Sequence, residues 1–109
     1  MKTDAPFGSF AEFWPYYLGE HSRTWTRWLH FAGTALLLPV LVLAVLASAW
    51  WLLLLPVVGY GFAWLGHFAV EHNRPATFRH PLWSLRGDFL MFWLMLTGRL
   101  ERERARLDK

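Results

Sequence analysis

Apolar and polar positions follow three different rhythms along this chain. Near the N-terminus, Phe10, Phe13, Trp14 and Tyr17 recur at helical spacing behind Ser9-Phe10-Ala11-Glu12, a capping box with Ser at N-cap and Glu at N3. A short amphipathic helix over about 9–18 is predicted, able to lie in a headgroup plane, with Pro15 inside it. The rhythm then disappears. From Trp28 to Val70 there are 43 residues without one Asp, Glu, Lys or Arg. A bilayer core takes about 20 apolar residues per helical span, so this stretch suits two spans joined by a tight turn. Ala47-Ser48-Ala49, followed by Trp50-Trp51, is the natural turn, giving spans at about 25–46 and 50–71. Pro39 is expected to kink the first span. Gly59, Ala63 and Gly66 form a small-residue stripe on the second, where a neighbouring helix can approach closely.

After the spans, Pro75 and Pro81 mark a loop over 73–81. A third helix over 82–107 follows, but its uncharged run, Phe89–Gly98, is only ten residues, about half a span. That helix is expected to be short or re-entrant, and Arg99–Lys109, alternating in sign, to be a solvated extension. The fold class is therefore all-α: an integral-membrane helical bundle in one domain, built from a two-span hairpin, an N-terminal amphipathic helix and a short third helix.

Composition narrows the picture further. The 109 residues are 55% apolar and 18% aromatic, and Trp25, Trp28, Trp50 and Trp51, four of the eight tryptophans, stand at span ends as an interfacial belt would. The absence of cysteine excludes disulfides, thiolate metal sites and iron–sulfur clusters. Asp4 and Glu12 interrupt Met1–Leu18, so no cleavable signal peptide is read there. The net charge of +3 comes from arginines flanking the spans, which points to orientation and membrane lipid rather than nucleic acid. Arg23 and Arg27 precede the first span, and Arg74, Arg79 and Arg86 follow the second, so their side is expected to be cytoplasmic, in a bacterial inner or ER-type membrane.

The candidate chemistry lies on that same side. The midpoint of His30 and His67 is 48.5, inside the predicted turn, so an antiparallel hairpin sets them face to face at one depth. His21, His72 and His80 flank the spans at the same end. Any one interfacial histidine is ordinarily structural, but five imidazoles gathered at one end suit metal or proton chemistry. His67 and His72, five apart, diverge on a helix, so His72 is expected to stand aside. His21 and His30, nine apart, converge only if the helix breaks near Ser22, as the Gly19 region permits. His80, before Pro81, is free to fold back. The expected ligand set is His21, His30, His67 and His80 around a single metal ion. Glu71, one helical turn after His67, is a candidate ligand or acceptor. Arg74 and Arg79 suit lipid phosphates or a substrate carboxylate.

The motifs Tyr16-Tyr17-Leu18-Gly19-Glu20-His21-Ser22, Leu29-His30-Phe31-Ala32-Gly33-Thr34, Gly66-His67, Glu71 through Leu85 and Gly87-Asp88-Phe89 together resemble one family. It is the small membrane family named for metabolism of phytosphingosine to odd-numbered fatty acids, and the resemblance covers about Phe10 to Leu96. The resemblance implies an Fe(II)-dependent dioxygenase that cleaves a long-chain 2-hydroxy fatty acid with O2 to the acid one carbon shorter. It also implies iron binding at His21, His30, His67 and His80. Within these motifs Arg74, Arg79 and Asn73 are candidates to touch the acid, and Glu71, Glu20 and Asp88 to orient the histidines. Two other classes stay open: a non-enzymatic membrane scaffold, and a haem protein with His30 and His67 as axial ligands.

Overall fold

The structure is a computed structural model that describes residues 7–75 and 79–107. It is all-helical among the described residues: α1 (Phe10–Gly19), α2 (Thr24–Leu46), α3 (Leu54–Leu65), α4 (Pro81–Leu96) and α5 (Leu100–Leu107). A 3₁₀ segment, Ala49–Leu53, leads into α3, and a π-helical turn, Gly66–Glu71, continues it, so the chain is helical from 49 to 71.

The capping box at Ser9 forms in altered shape. Ser9 Oγ accepts from the Glu12 amide at 3.3 Å, while Glu12 returns its carboxylate to the amide of Gly8, 2.9 Å away, rather than to Ser9. A cap of this kind contributes about 1 kcal/mol. Helix α1 continues through Pro15 to Gly19, with Glu20 as its C-cap, leaving four residues, 20–23, before α2 begins.

Helices α2 and α3 form the hairpin, turning at Ala47-Ser48, where Ser48 Oγ accepts from Trp50 N. Both arms, Thr24–Leu46 and Ala49–Glu71, are long and apolar enough to cross a membrane. Pro39 is absorbed without ending α2. The arms meet on small residues from both sides: a Cβ on Gly33 would stand 3.0 Å from Val58 O, and one on Gly66 3.0 Å from Thr26 Cγ2. Of the expected stripe, Ala63 and Gly66 are thus sealed by α2, and only Gly59 faces an open cavity.

The buried apolar core lies to one side of the hairpin. Phe13, Trp14, Tyr17 and Leu18 of α1 pack on Met91 of α4 and Leu100 of α5. Where one helix over 82–107 is expected, the chain forms two, because Thr97-Gly98 breaks it and Gly98 takes a left-handed φ of +72° that suits glycine. The break folds α5 back onto α1. Leu100 is buried and Glu103 accepts from Trp14 Nε1 at 2.7 Å, so one face of this largely exposed segment docks on α1. Met95, Leu100 and Glu101 share a crevice with Thr24, Arg27 and Trp28 at the start of α2. Helix α4 therefore ends beside the histidine-bearing end of the hairpin, not beside the Ala47 turn.

Candidate metal centre

Three short-range devices bring three distant histidines together. The break after α1 lets the chain reverse, and His21 N bonds to Leu18 O at 3.1 Å as the helix ends. Arg27, a buried residue on the first turns of α2, clamps that corner: its Nη1 donates to the carbonyls of His21 and Ser22 at 2.9 and 2.8 Å. His30 then projects from α2 one turn further on. His67 sits on the π turn, whose wide winding lets the amide of Asn73 reach back to His67 O at 2.9 Å. π turns of this sort are often found at functional sites.

His21, His30 and His67 are all buried, with one ring nitrogen of each within 4.8 Å of the other two. The Nε2 atoms of His21 and His30 are 2.9 Å apart, and those of His30 and His67 are 3.4 Å apart. The outer nitrogens explain why these faces converge. His21 Nδ1 stands 2.7 Å from the Tyr17 carbonyl, which only accepts, so Nδ1 carries the hydrogen. His67 Nδ1 stands 2.7 Å from Asn73 Oδ1, and Asn73 Nδ2 donates to Glu20 O at 3.1 Å, which fixes the amide with its oxygen toward His67. Both imidazoles therefore turn an Nε2 lone pair inward. Lone pairs facing one another in a buried space repel unless a cation or a shared proton lies among them. Carbonyl-oriented imidazoles of this kind are the arrangement metal-binding histidines adopt.

His30 completes the triangle differently. Its Nδ1 is 3.4 Å from Asp88 Oδ1, off the line of a hydrogen bond, and is otherwise unpartnered among the described residues. A cation on the Nε2 side would draw density from the ring and strengthen an Nδ1–H toward that carboxylate. Asp88 in turn accepts from the Tyr17 hydroxyl. Tyr17, which sequence reading places only on the apolar face of α1, thus holds the centre twice, and its ring also stacks on His21 at 4.2 Å between centroids. The only signal for it is position, one turn before His21.

Electrostatics agree with a neutral donor set. Burial first, then the adjacent His30 and His67 rings, hold His21 well below the ordinary 6.5. Burial and the Asp88 carboxylate push the Tyr17 phenol well above 10.0, so it stays a hydrogen-bond donor.

The remaining candidates fall elsewhere. His80 caps α4, fixed by Pro81 at the first helical position, and its ring lies 5.3 Å from both Phe7 and Phe13 and 5.7 Å from Trp83. It belongs to this aromatic box and not to the triangle, so the expected set of four divides into three and one. His72 is exposed with φ 62°, outside the cluster. Glu71 is not near the ring nitrogens as a ligand. It accepts from Ser22 Oγ (2.8 Å), Arg23 N (2.6 Å) and Thr26 Oγ1 (2.7 Å), capping α2 where neither Ser22 nor Thr24 does so from within. Glu20 contributes its backbone carbonyl, and Asn73 is committed to His67 and Glu20 rather than open to a substrate. Arg74 and Arg79 are exposed on the loop at this same end. Thr77 lies outside the described residues. The ring centroids, 4.3, 4.5 and 5.3 Å apart, leave no slot for a porphyrin between His30 and His67.

The sequence profile of the family described as 2-hydroxy-palmitic acid dioxygenase Mpo1-like matches residues 7–100. The chain belongs to this family. The match takes in all three clustered histidines, Asp88, Tyr17 and Asn73, so the family segment and the geometric centre coincide. No curated protein and no solved structure matches the chain. The family description names a dioxygenase, which gives the histidine triangle a chemical context.

Proposed function

We propose that this protein is a membrane-embedded, Fe(II)-dependent dioxygenase that converts a long-chain 2-hydroxy fatty acid to the fatty acid one carbon shorter. The observation that carries the reading is the inward convergence of three histidine Nε2 atoms in a family described as 2-hydroxy-palmitic acid dioxygenase Mpo1-like. His21, His30 and His67 would hold the ion. When bound, ferrous iron supplies a redox-active Lewis acid for O2 and for the hydroxyl and carboxylate of the substrate, whereas zinc has no redox chemistry to offer. With the lost carbon leaving as CO2, one hydroxy acid and one O2 give the shorter acid and one water, with no added reductant.

The chain's own residues do the orienting. Tyr17 O and Asn73 Oδ1 hold two imidazoles in the ligating tautomer, and Asp88 backs the third. Burial of all three rings keeps bulk water out. Arg74 and Arg79 stand at the same end, where a carboxylate arriving from the membrane surface would meet them. Membrane residence is supported by what the hairpin leaves uncovered: Leu38 is 68% and Val45 82% exposed, as the core helix of a soluble protein would not be. The arginines of α5 join the others at the histidine end, while the turn at 47–53 is uncharged, which supports a cytoplasmic placement of the centre.

Elemental analysis of purified protein, followed by turnover, tests this. The expected result is near-stoichiometric iron and O2-dependent formation of the shorter acid, with the unsubstituted acid inert and zinc inhibitory. Turnover with zinc alone, or without oxygen, would falsify the oxidative mechanism. Absence of any stoichiometric metal would return the protein to the scaffold class.

A further inference from the structure

A cavity of about 390 Å³ opens between α2, α3 and α4. Its lining is mostly apolar, with Asp88, Thr34 and Tyr60 as the polar members. Asp88, the residue that stands 3.4 Å from His30 Nδ1, lines it, as does Thr34, one helical turn beyond His30. From there it extends past Leu37 and Gly59 to Leu41 and Leu55. The run from Thr34 to Leu41 is about 10 Å long by helical rise. The absence of a side chain on Gly59 keeps it open midway, where a Cβ would meet only Leu37 at 3.5 Å. By contrast Gly33 and Gly66 are pressed against the opposite arm, so the hairpin closes above this level and parts at it.

We infer that this cavity seats the first part of the substrate's alkyl chain, and that Gly59 and Leu55 set chain-length preference. The inference rests on the proposed reaction for its substrate class. The continuity carries it: Asp88, which backs His30 on its Nδ1 side, also lines the cavity mouth, so the apolar path begins one side chain away from the triangle and leads away from it. A long chain would fill the cavity and run on into lipid, which suits a substrate drawn laterally from the bilayer.

Two measurements in lipid nanodiscs test it. A long 2-hydroxy acid carrying a chain diazirine should, on irradiation, label Leu37, Leu41 or Leu55, and unlabelled acid should displace that label. Displaceable label spread equally over Leu38 and Val57, which lie outside the cavity, would overturn the inference whether or not the protein turns over. In competition between acids of about eight and about eighteen carbons, Gly59→Phe should lower the long-to-short ratio of kcat/KM about tenfold, in the range a blocked apolar pocket gives. Leu55→Trp, nearer the far end, should lower it less, and Val57→Phe not at all. That graded order is one general destabilisation does not produce. Wild-type protein inert toward every 2-hydroxy acid would instead defeat the proposed reaction, leaving the labelling map to decide the cavity. Turnover with the same ratio in all variants would reduce the cavity to a lipid-filled gap.

Discussion

The two ends of the hairpin are built on opposite rules. At the histidine end the buried side chains of α2 are Thr26, Arg27 and His30, all polar, and the large apolar residues that shield them come from α1, α4 and α5. Toward the turn the order inverts: Val45, Leu46 and Trp50 are about four-fifths exposed, and among α2 residues beyond Gly33 only Val40 is buried. One end is organised around what it hides, and the other around a solvent it expects to be apolar. The difference teaches that in so small a chain the hydrophobic core is not the pair of long apolar helices. It is an accessory built beside them to dry out a polar centre.

Changes to the centre should test that contrast most severely. Replacing His21, His30 or His67 with Ala should each abolish stoichiometric metal, measured by elemental analysis, because two imidazoles alone do not make the site; retention of full metal by His30→Ala would break the triangle as a unit. Acid should act on the apoprotein in the same sense. His21 is held neutral in the folded state and takes a proton near 6.5 when unfolded, so the unfolded state binds more protons below that pH. Apoprotein stability should therefore be unaffected by His21 above about pH 6.5 and fall progressively below it, as thermal melts across pH would record. Next in size, Asn73→Ala should weaken metal affinity about 10–100-fold, the usual loss when a partner orienting a ligand histidine is removed. Titration with a competing chelator measures this, and unchanged affinity would mean the Asn73 bond is incidental. Glu71→Ala should spare metal stoichiometry but cost about 1–2 kcal/mol of stability through the lost cap on α2. The smallest effect is expected at His72, where Gly would relieve a left-handed backbone costing about 1 kcal/mol and leave metal content untouched.

Much of the hairpin was legible because hydropathy acts over tens of residues. The Trp28–Val70 run and its central Ala-Ser-Ala turn are enough to set His30 opposite His67, and the structure brings their Nε2 atoms to 3.4 Å. The break that admits His21 was legible from Gly19 and the nine-residue spacing. What could not be read depends on single local choices. Pro81 at the start of α4 holds His80 among Phe7, Phe13 and Trp83, although the same proline left it looking free to fold back. The alternation of sign after Arg99 predicts a solvated extension, and Arg99, Glu101, Arg102 and Arg106 are exposed; what it does not show is that Gly98 and the Trp14–Glu103 bond dock the other face of the segment on α1. Glu71 has the right spacing for an α-helical partner of His67, but the π turn re-aims it toward Ser22 and Thr26.

That π turn has a consequence for how the sequence can change. A π turn holds one more residue than the α turn it replaces. Its last residue makes the Glu71 bonds to Ser22, Arg23 and Thr26, and the Asn73 bond to His67 lies just beyond it. Phe68 and Ala69, exposed within the turn, should accept many substitutions, since neither touches the centre. Deleting either would let the helix rewind to α, rotating Glu71 and Asn73 away from both sets of partners in one stroke. This stretch should therefore tolerate altered letters and refuse an altered count, because it is spelled by length rather than by identity.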